Sequence, residues 1–140
     1  MNNTVTFNDY QLARLYDAFD IAYNQIACKG IIYVPINKLV VIHDAMNCVL
    51  SNDMESITQE AWQLMIKLID DSGDYIQRLN NDAIQKRDSE AENSLSFMLV
   101  EMKASSHDLK EAFLSYLPGK KLYNDGIRTN YSGPLVQTIN

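Results

Sequence analysis

The chain has 140 residues, with 12 basic and 18 acidic side chains and a formal net charge of −6. Leu, Ile, Val and Phe supply 38 of these residues, well above the ~20% typical of disordered chains, so one hydrophobic core of domain size is expected. The acidic balance disfavours direct binding to nucleic acid. No stretch approaches the ~18 apolar residues of a membrane span, and the opening MNNTVTFND predicts no secretory signal.

The first predicted element is a helix over 7–28. Thr6 followed by Asp9 fits the spacing of a capping box, with Asp in place of Glu. Apolar side chains then recur at intervals of three and four residues, the spacing of one helix face: Leu12, Leu15, Phe19, Ala22, Tyr23 and Ile26. Gly30 supplies the left-handed residue that commonly ends a helix.

The stretch 31–42 allows two interpretations. Its β-branched runs around Pro35 could form a hairpin, whereas Leu39, Ile42, Met46 and Val49 continue with helical spacing. An isolated two-stranded hairpin is marginally stable in water. We therefore predict a connector over 30–36 and a second helix over 37–51.

Two longer helices are predicted over 56–87 and 90–116. Ser56 with Gln59 and Ser89 with Glu92 both have capping-box spacing, and a helical apolar stripe follows each of them. Gly73 lies inside the third helix, where it predicts a bend. His107 and Asp108 follow two serines and look like a second helix start, so a break at 104–106 is possible.

Glycine and proline divide the chain into a body and a tail. Ile36 to Leu117 contains no Pro and one Gly, and most of the remaining Gly and Pro residues follow Leu117. This distribution predicts a helical domain over 1–117 and a non-helical segment over 118–140. The tail contains Leu122, Tyr123 and Ile127, so we expect it to dock on its own bundle or on a second subunit.

The unequal helix lengths favour self-association. At 1.5 Å per residue, the two predicted long helices form a hairpin that neither shorter helix can cover alone. The short helices could cover it end to end, or a second copy could cover the remainder. Because two-fold dimers are the commonest oligomers, a homodimer built on the third or fourth helix is predicted.

The two cysteines, Cys28 and Cys48, do not form a disulfide framework. Both lie among apolar residues and are interpreted as small core side chains, although a single bridge between the first two helices is an alternative. Free thiols fit a cytoplasmic location.

Residues with catalytic or metal-binding chemistry are few. The histidines are His43 and His107, each followed by Asp, but the further His and Asp of a helical metal-dependent phosphohydrolase are missing. None of the common nucleotide, zinc or nucleophile motifs occurs. We therefore expect no cofactor, no metal and no enzymatic activity, with a small metal-dependent hydrolase as a remote alternative.

Acidic residues concentrate in 55–92, which has a net charge of −5 from nine acidic and four basic side chains. Asp70, Asp71 and Asp74 form its densest cluster and are expected on the outer face. They are either a solvated surface near the Gly73 bend or a surface complementary to a basic partner protein.

Tyr16 and Tyr23 are seven residues apart, so they are predicted to share one face of the first helix. Tyr tolerates half-burial and is enriched at interfaces. The pair is therefore either the edge of the core or part of a partner-binding surface.

The predicted fold is an all-α bundle of about four helices with an extended C-terminal segment. The predicted function is that of a non-enzymatic interaction protein, similar to an inhibitor, immunity protein or chaperone, that binds and occludes a partner with a basic surface. Its candidate partner-binding residues are Asp70, Asp71, Asp74, Tyr16 and Tyr23. The alternative is a homo-oligomeric structural or assembly subunit.

Overall fold

A computed structural model describes residues 4–122, and they form an all-α bundle. Its elements are α1 (Asp9–Phe19), a π-helical segment (Asp20–Ala27), α2 (Ile36–Leu50), α3 (Gln59–Gln85) and α4 (Ser89–Tyr116). The predicted four-helix architecture is confirmed, and 31–35 is a connector that leads into α2.

Helix α1 begins two residues later than predicted. Asn8 accepts a hydrogen bond from the Gln11 N–H, and the Gln11 side chain accepts one from the Asn8 N–H, so the capping box uses these residues and not Thr6 and Asp9. Phe7 explains the shift, because it is buried and its N–H and C=O both bond to the Asn52 amide at 2.9 Å. These bonds hold the chain extended up to the N-cap.

The first predicted helix contains a change of helical type. After Phe19 the chain continues as a π-helix to Ala27, whose i→i+5 pattern appears in the 2.8 Å bond from the Cys28 N–H to the Tyr23 carbonyl. Gly30 follows with φ 77° and ends this unit, as predicted.

Helix α3 is the central helix of the bundle, and it packs against α4, α2 and the π-helical segment. It begins at Gln59, where the Thr58 hydroxyl accepts from the Ala61 N–H at 3.1 Å. The prediction of Ser56 as the N-cap is wrong, since Thr58 caps the helix and the buried Ile57 lies between the two. Every residue from Ala61 to Ile69 is buried, as expected for a helix enclosed on all sides.

A three-residue reversal joins α3 to α4. Arg87 has φ 57°, and the Asp88 N–H bonds to the Ala83 carbonyl at 2.9 Å. Asp88, and not Ser89, is the N-cap of α4, since its carboxylate accepts from the Ala91 N–H at 3.1 Å. The two antiparallel helices have 27 and 28 residues, or about 40 Å each.

Helix α4 continues without the predicted break at 104–106. Ser105 and Ser106 are buried, and their hydroxyls donate to the Arg14 carbonyl at 3.4 Å and the Asp70 carboxylate at 2.5 Å. Asp108 is not a helix-start residue either, because it forms a 2.8 Å ion pair with Arg14. These polar residues connect α4 to α1 and α3.

The cysteine prediction is wrong for Cys28, which is exposed, and only partly right for Cys48, which is half-buried. Both thiols are free, so the alternative of a disulfide bridge is not realised.

The beginning of the C-terminal segment contacts the bundle, because Leu122 packs against the core and the Lys121 carbonyl accepts from the Gln63 amide at 2.7 Å. The rest of the predicted tail, 123–140, lies outside the described residues.

Helix α3 is one unbroken α-helix across Gly73, and the predicted bend stays a prediction. A Cβ added there would meet no atom nearer than the Cβ of Met102, at 3.9 Å, which is ordinary van der Waals contact. We therefore expect Gly73→Ala to raise the free energy of unfolding by about 0.5–1 kcal/mol, because alanine has the higher helix propensity. Chemical denaturation of both proteins measures the change, and a loss of stability would contradict it.

Candidate interaction surfaces

The predicted acidic cluster divides into two partly buried residues and one exposed residue. Asp70 accepts from Ser106 and lies 3.1 Å from the Lys110 ammonium. Asp71 pairs with Lys67 at 3.3 Å, with 18% and 11% of the two side chains exposed. Burial raises the pKa of Asp71. Of the three, only Asp74 is fully exposed, so the expected outer acidic position holds for Asp74 and only in part for the half-buried Asp70 and Asp71.

A groove of about 410 Å³ lies between α3 and α4 beside this cluster. Its charged lining is mixed, with acidic groups from α3 and basic or titratable groups from α4: Asp70, Asp74, Lys103, His107 and Lys110. Asp70 is already held by Ser106 and Lys110 across the groove. These contacts join the two long helices, and the mixed charge selects neither an anion nor a cation.

Tyr16 and Tyr23 line one small recess of about 150 Å³ together with His43, so the prediction of a shared face is confirmed. Tyr16 is 62% exposed. Tyr23 is half-buried, its ring centroid lies 5.3 Å from that of His43, and burial raises its pKa. The first tyrosine is thus available to a partner, while the second forms the edge of the core.

A second apolar stripe runs along α4 on the side away from the core. We call this stripe the outer face of α4, and it consists of Phe97, Val100, Ala104 and Leu114. Phe97, Val100 and Leu114 are 65%, 66% and 55% exposed. The predicted stripe of α4 contained only core residues, although the three- and four-residue spacings from Phe97 to Ala104 are also present in the sequence.

An acidic recess of about 290 Å³ borders the outer face where α4 meets α1 and the π-helical segment. It is lined by Asp17, Asp20, Ile21, Gln25, Phe97, Met98 and Glu101. In the part of the chain between residues 4 and 122, no ion pair neutralises its three carboxylates. The recess therefore combines an exposed aromatic ring with concentrated negative charge.

Local contacts shift the pKa values of two of these carboxylates in opposite directions. Hydrogen bonds from Asn24 at 2.9 Å and Gln25 at 2.8 Å lower the pKa of Asp20. Burial raises the pKa of Glu101, and the nearby charge of Asp17 raises it further. Of these two carboxylates, Glu101 therefore has the surroundings less favourable to its negative charge.

An NMR pH titration should detect these shifts. We expect the side-chain carboxyl of Glu101 to titrate above the usual glutamate range and that of Asp20 below the usual aspartate range. Asp17→Asn should lower the pKa of Glu101, because it removes a neighbouring negative charge. An unchanged Glu101 titration in this variant would show that the two carboxyl groups do not interact.

Comparison of the chain with protein-family models, with curated proteins and with solved structures gives no match. Over residues 4–122, no helix is long and apolar enough to cross a membrane. Within the same range, no group of three His, Cys, Asp or Glu side chains is arranged to hold a metal ion. His43 and His107 lie apart, on α2 and on α4.

Proposed function

We propose that the protein is a non-enzymatic interaction protein. It binds a basic surface of a partner protein and covers part of that surface. The observation that carries this proposal is the acidic recess, where Asp17, Asp20 and Glu101 surround the exposed ring of Phe97. A lysine or arginine of a partner would gain Coulombic attraction from the carboxylates there and could contact the face of the aromatic ring.

This assignment moves the binding role away from the three aspartates expected from the sequence, because Asp74 lines the groove between α3 and α4 and not the recess. Asp70 and Asp71 form ion pairs with Lys110 and Lys67, whereas the recess carboxylates form no ion pair among residues 4–122. The nearby charge of Arg14 lowers the pKa of Glu101 without forming such a pair. Tyr16 keeps its proposed role, because its own recess shares Asp20 with the acidic one.

Two further features fit this function. The outer face of α4 adds apolar area beside the charges, and such a combination is typical of interaction surfaces. The free thiols of Cys28 and Cys48 favour a reducing compartment such as the cytoplasm.

The second candidate function is that of a homo-oligomeric structural subunit, since the exposed outer face of α4 could be covered by a second copy.

The test compares two triple variants with the same change in net charge. Asp17→Asn, Asp20→Asn and Glu101→Gln together neutralise the recess. The control combines Asp53→Asn, Glu55→Gln and Asp74→Asn, whose parent side chains are all exposed and lie outside the recess. Each tagged protein is used to capture binding proteins from extracts of its host cells at low and high salt.

We expect the recess variant to lose a captured protein that the wild type and the control retain, with the larger difference at low salt, where surface charges are least screened. If both variants lose the captured protein equally, the effect depends on net charge and not on the recess. Capture that is unaffected by the recess variant would refute the recess as the binding site.

A further inference from the structure

The two edges of the outer face of α4 carry opposite charges. Along the edge next to α1 lies Glu101, which shares the acidic recess with Asp17 and Asp20. Along the edge next to α3 lie Lys103 and Lys110, which line the groove between α3 and α4. Lys103 is exposed and forms no ion pair with any residue in 4–122.

We infer that the outer face of α4 is the contact between two copies of this chain, with their α4 helices parallel. The inference rests on the second candidate function, the homo-oligomeric subunit, and names a second copy as the source of the basic side chain in the recess. A two-fold axis parallel to α4 places the Glu101 edge of each copy against the Lys103 edge of the other. An antiparallel pair would instead place the acidic edges together, which is unfavourable.

The position of Lys103 along α4 fits this arrangement. It lies two residues, or about 3 Å, beyond Glu101 along the helix axis. The long Lys103 side chain can span this offset. In a parallel pair, its ammonium group therefore lies within reach of the acidic recess of the second copy, and the two-fold axis forms the contact twice.

The apolar part of the face has the spacing that two parallel helices need. Phe97, Val100 and Ala104 follow one another at three and four residues, as do the core positions of a two-stranded coiled coil. His107 and Glu111 continue the same line before Leu114 and lie 3.4 Å apart. The apolar contact is therefore centred on Phe97, Val100 and Ala104.

The first experiment measures the oligomeric state by sedimentation equilibrium from micromolar to hundreds of micromolar protein. We expect a wild-type dimer, at least 100-fold weaker association for Phe97→Asp, and about 10-fold weaker association for Lys103→Glu. Val40→Asp is the matched control, because Val40 is a 56% exposed apolar residue on α2. Equal losses for Val40→Asp and Phe97→Asp would overturn the assignment of the interface to α4.

The second experiment measures the direction of the helices. Asn93→Cys is introduced together with Cys28→Ser and Cys48→Ser, and the protein is oxidised mildly. Asn93 is exposed and lies one turn before Phe97 on the same line, so parallel α4 helices bring the two copies of residue 93 together. We expect a disulfide-linked dimer, and a dimer that cannot be linked at this position would refute the parallel arrangement.

The two proposals can fail separately. A wild-type protein that remains a 16 kDa monomer at hundreds of micromolar overturns the dimer, while recess-dependent capture of another protein still supports the proposed function. A parallel dimer that depends on Phe97 but captures no other protein through the recess supports the inference and overturns occlusion of a separate partner.

Discussion

Replacing Trp62 by alanine is expected to lower the free energy of unfolding by about 3–5 kcal/mol, the range for large aromatic side chains in cores. Trp62 is the only tryptophan in the chain, and it is fully buried in α3. Its ring meets Phe113 edge-on and stacks on Tyr116, with both centroid distances at 6.3 Å. Deleting it would leave a cavity where α3 meets the end of α4.

A matched variant separates the ring from its N–H group. The Trp62 indole nitrogen is buried and has no hydrogen-bond partner among the described residues. Trp62→Phe keeps much of the aromatic contact and removes that unpaired donor. We therefore expect it to lower the free energy of unfolding by only about 1 kcal/mol, less than Trp62→Ala does. Urea denaturation followed by circular dichroism compares the proteins, and equal losses for the two substitutions would contradict the assigned role of ring packing.

The helices were predictable because their core contacts repeat at helical spacing. The stripe from Leu12 to Ile26 and the stripe of α4 both mark faces that are buried in the structure. The exact starting residues were not predictable, since several capping side chains stand near each start. Contacts distant in sequence decide among them, such as the bonds between Phe7 and Asn52.

The π-helical segment left no separate signal, because its core residues also fit an α-helical stripe. Ile21, Ala22 and Ile26 are buried and satisfy either type of helix over so short a distance. The segment also packs against α3, a contact distant in sequence that apolar spacing does not record. A sequence pattern that records only apolar spacing cannot distinguish these types.

The acidic recess was not predictable from the sequence. The predicted aspartate cluster and the predicted tyrosine pair are two separate features, each made of residues close together in the chain. Asp17 and Glu101 are distant in sequence and meet only because α1 packs on α4. By contrast, the burial of Lys67 did leave a signal, in the nearly continuous apolar run around it on α3.

Reversing the charge of Asp71 is expected to destabilise the fold, in contrast to a change at an exposed acid. Asp71→Lys would place a second ammonium group beside Lys67, in a region where the two native side chains are 18% and 11% exposed. Breaking a buried ion pair costs about 3–5 kcal/mol. The matched control is Asp74→Lys, three residues along the same helix and exposed, for which we expect a change within about 0.5 kcal/mol.

The pH dependence of stability provides a separate test of the same residue. Burial raises the pKa of Asp71 in the folded protein, so the folded state binds a proton more readily than the unfolded state does. Its contribution to stability is therefore greatest at low pH and declines as the pH rises from the unfolded pKa through the folded one. Asp71→Asn, which cannot ionise, should remove this decline while keeping the size of the side chain. Denaturation of both proteins across that acidic range measures the difference, and parallel stability curves would show that Asp71 titrates as it does in the unfolded chain.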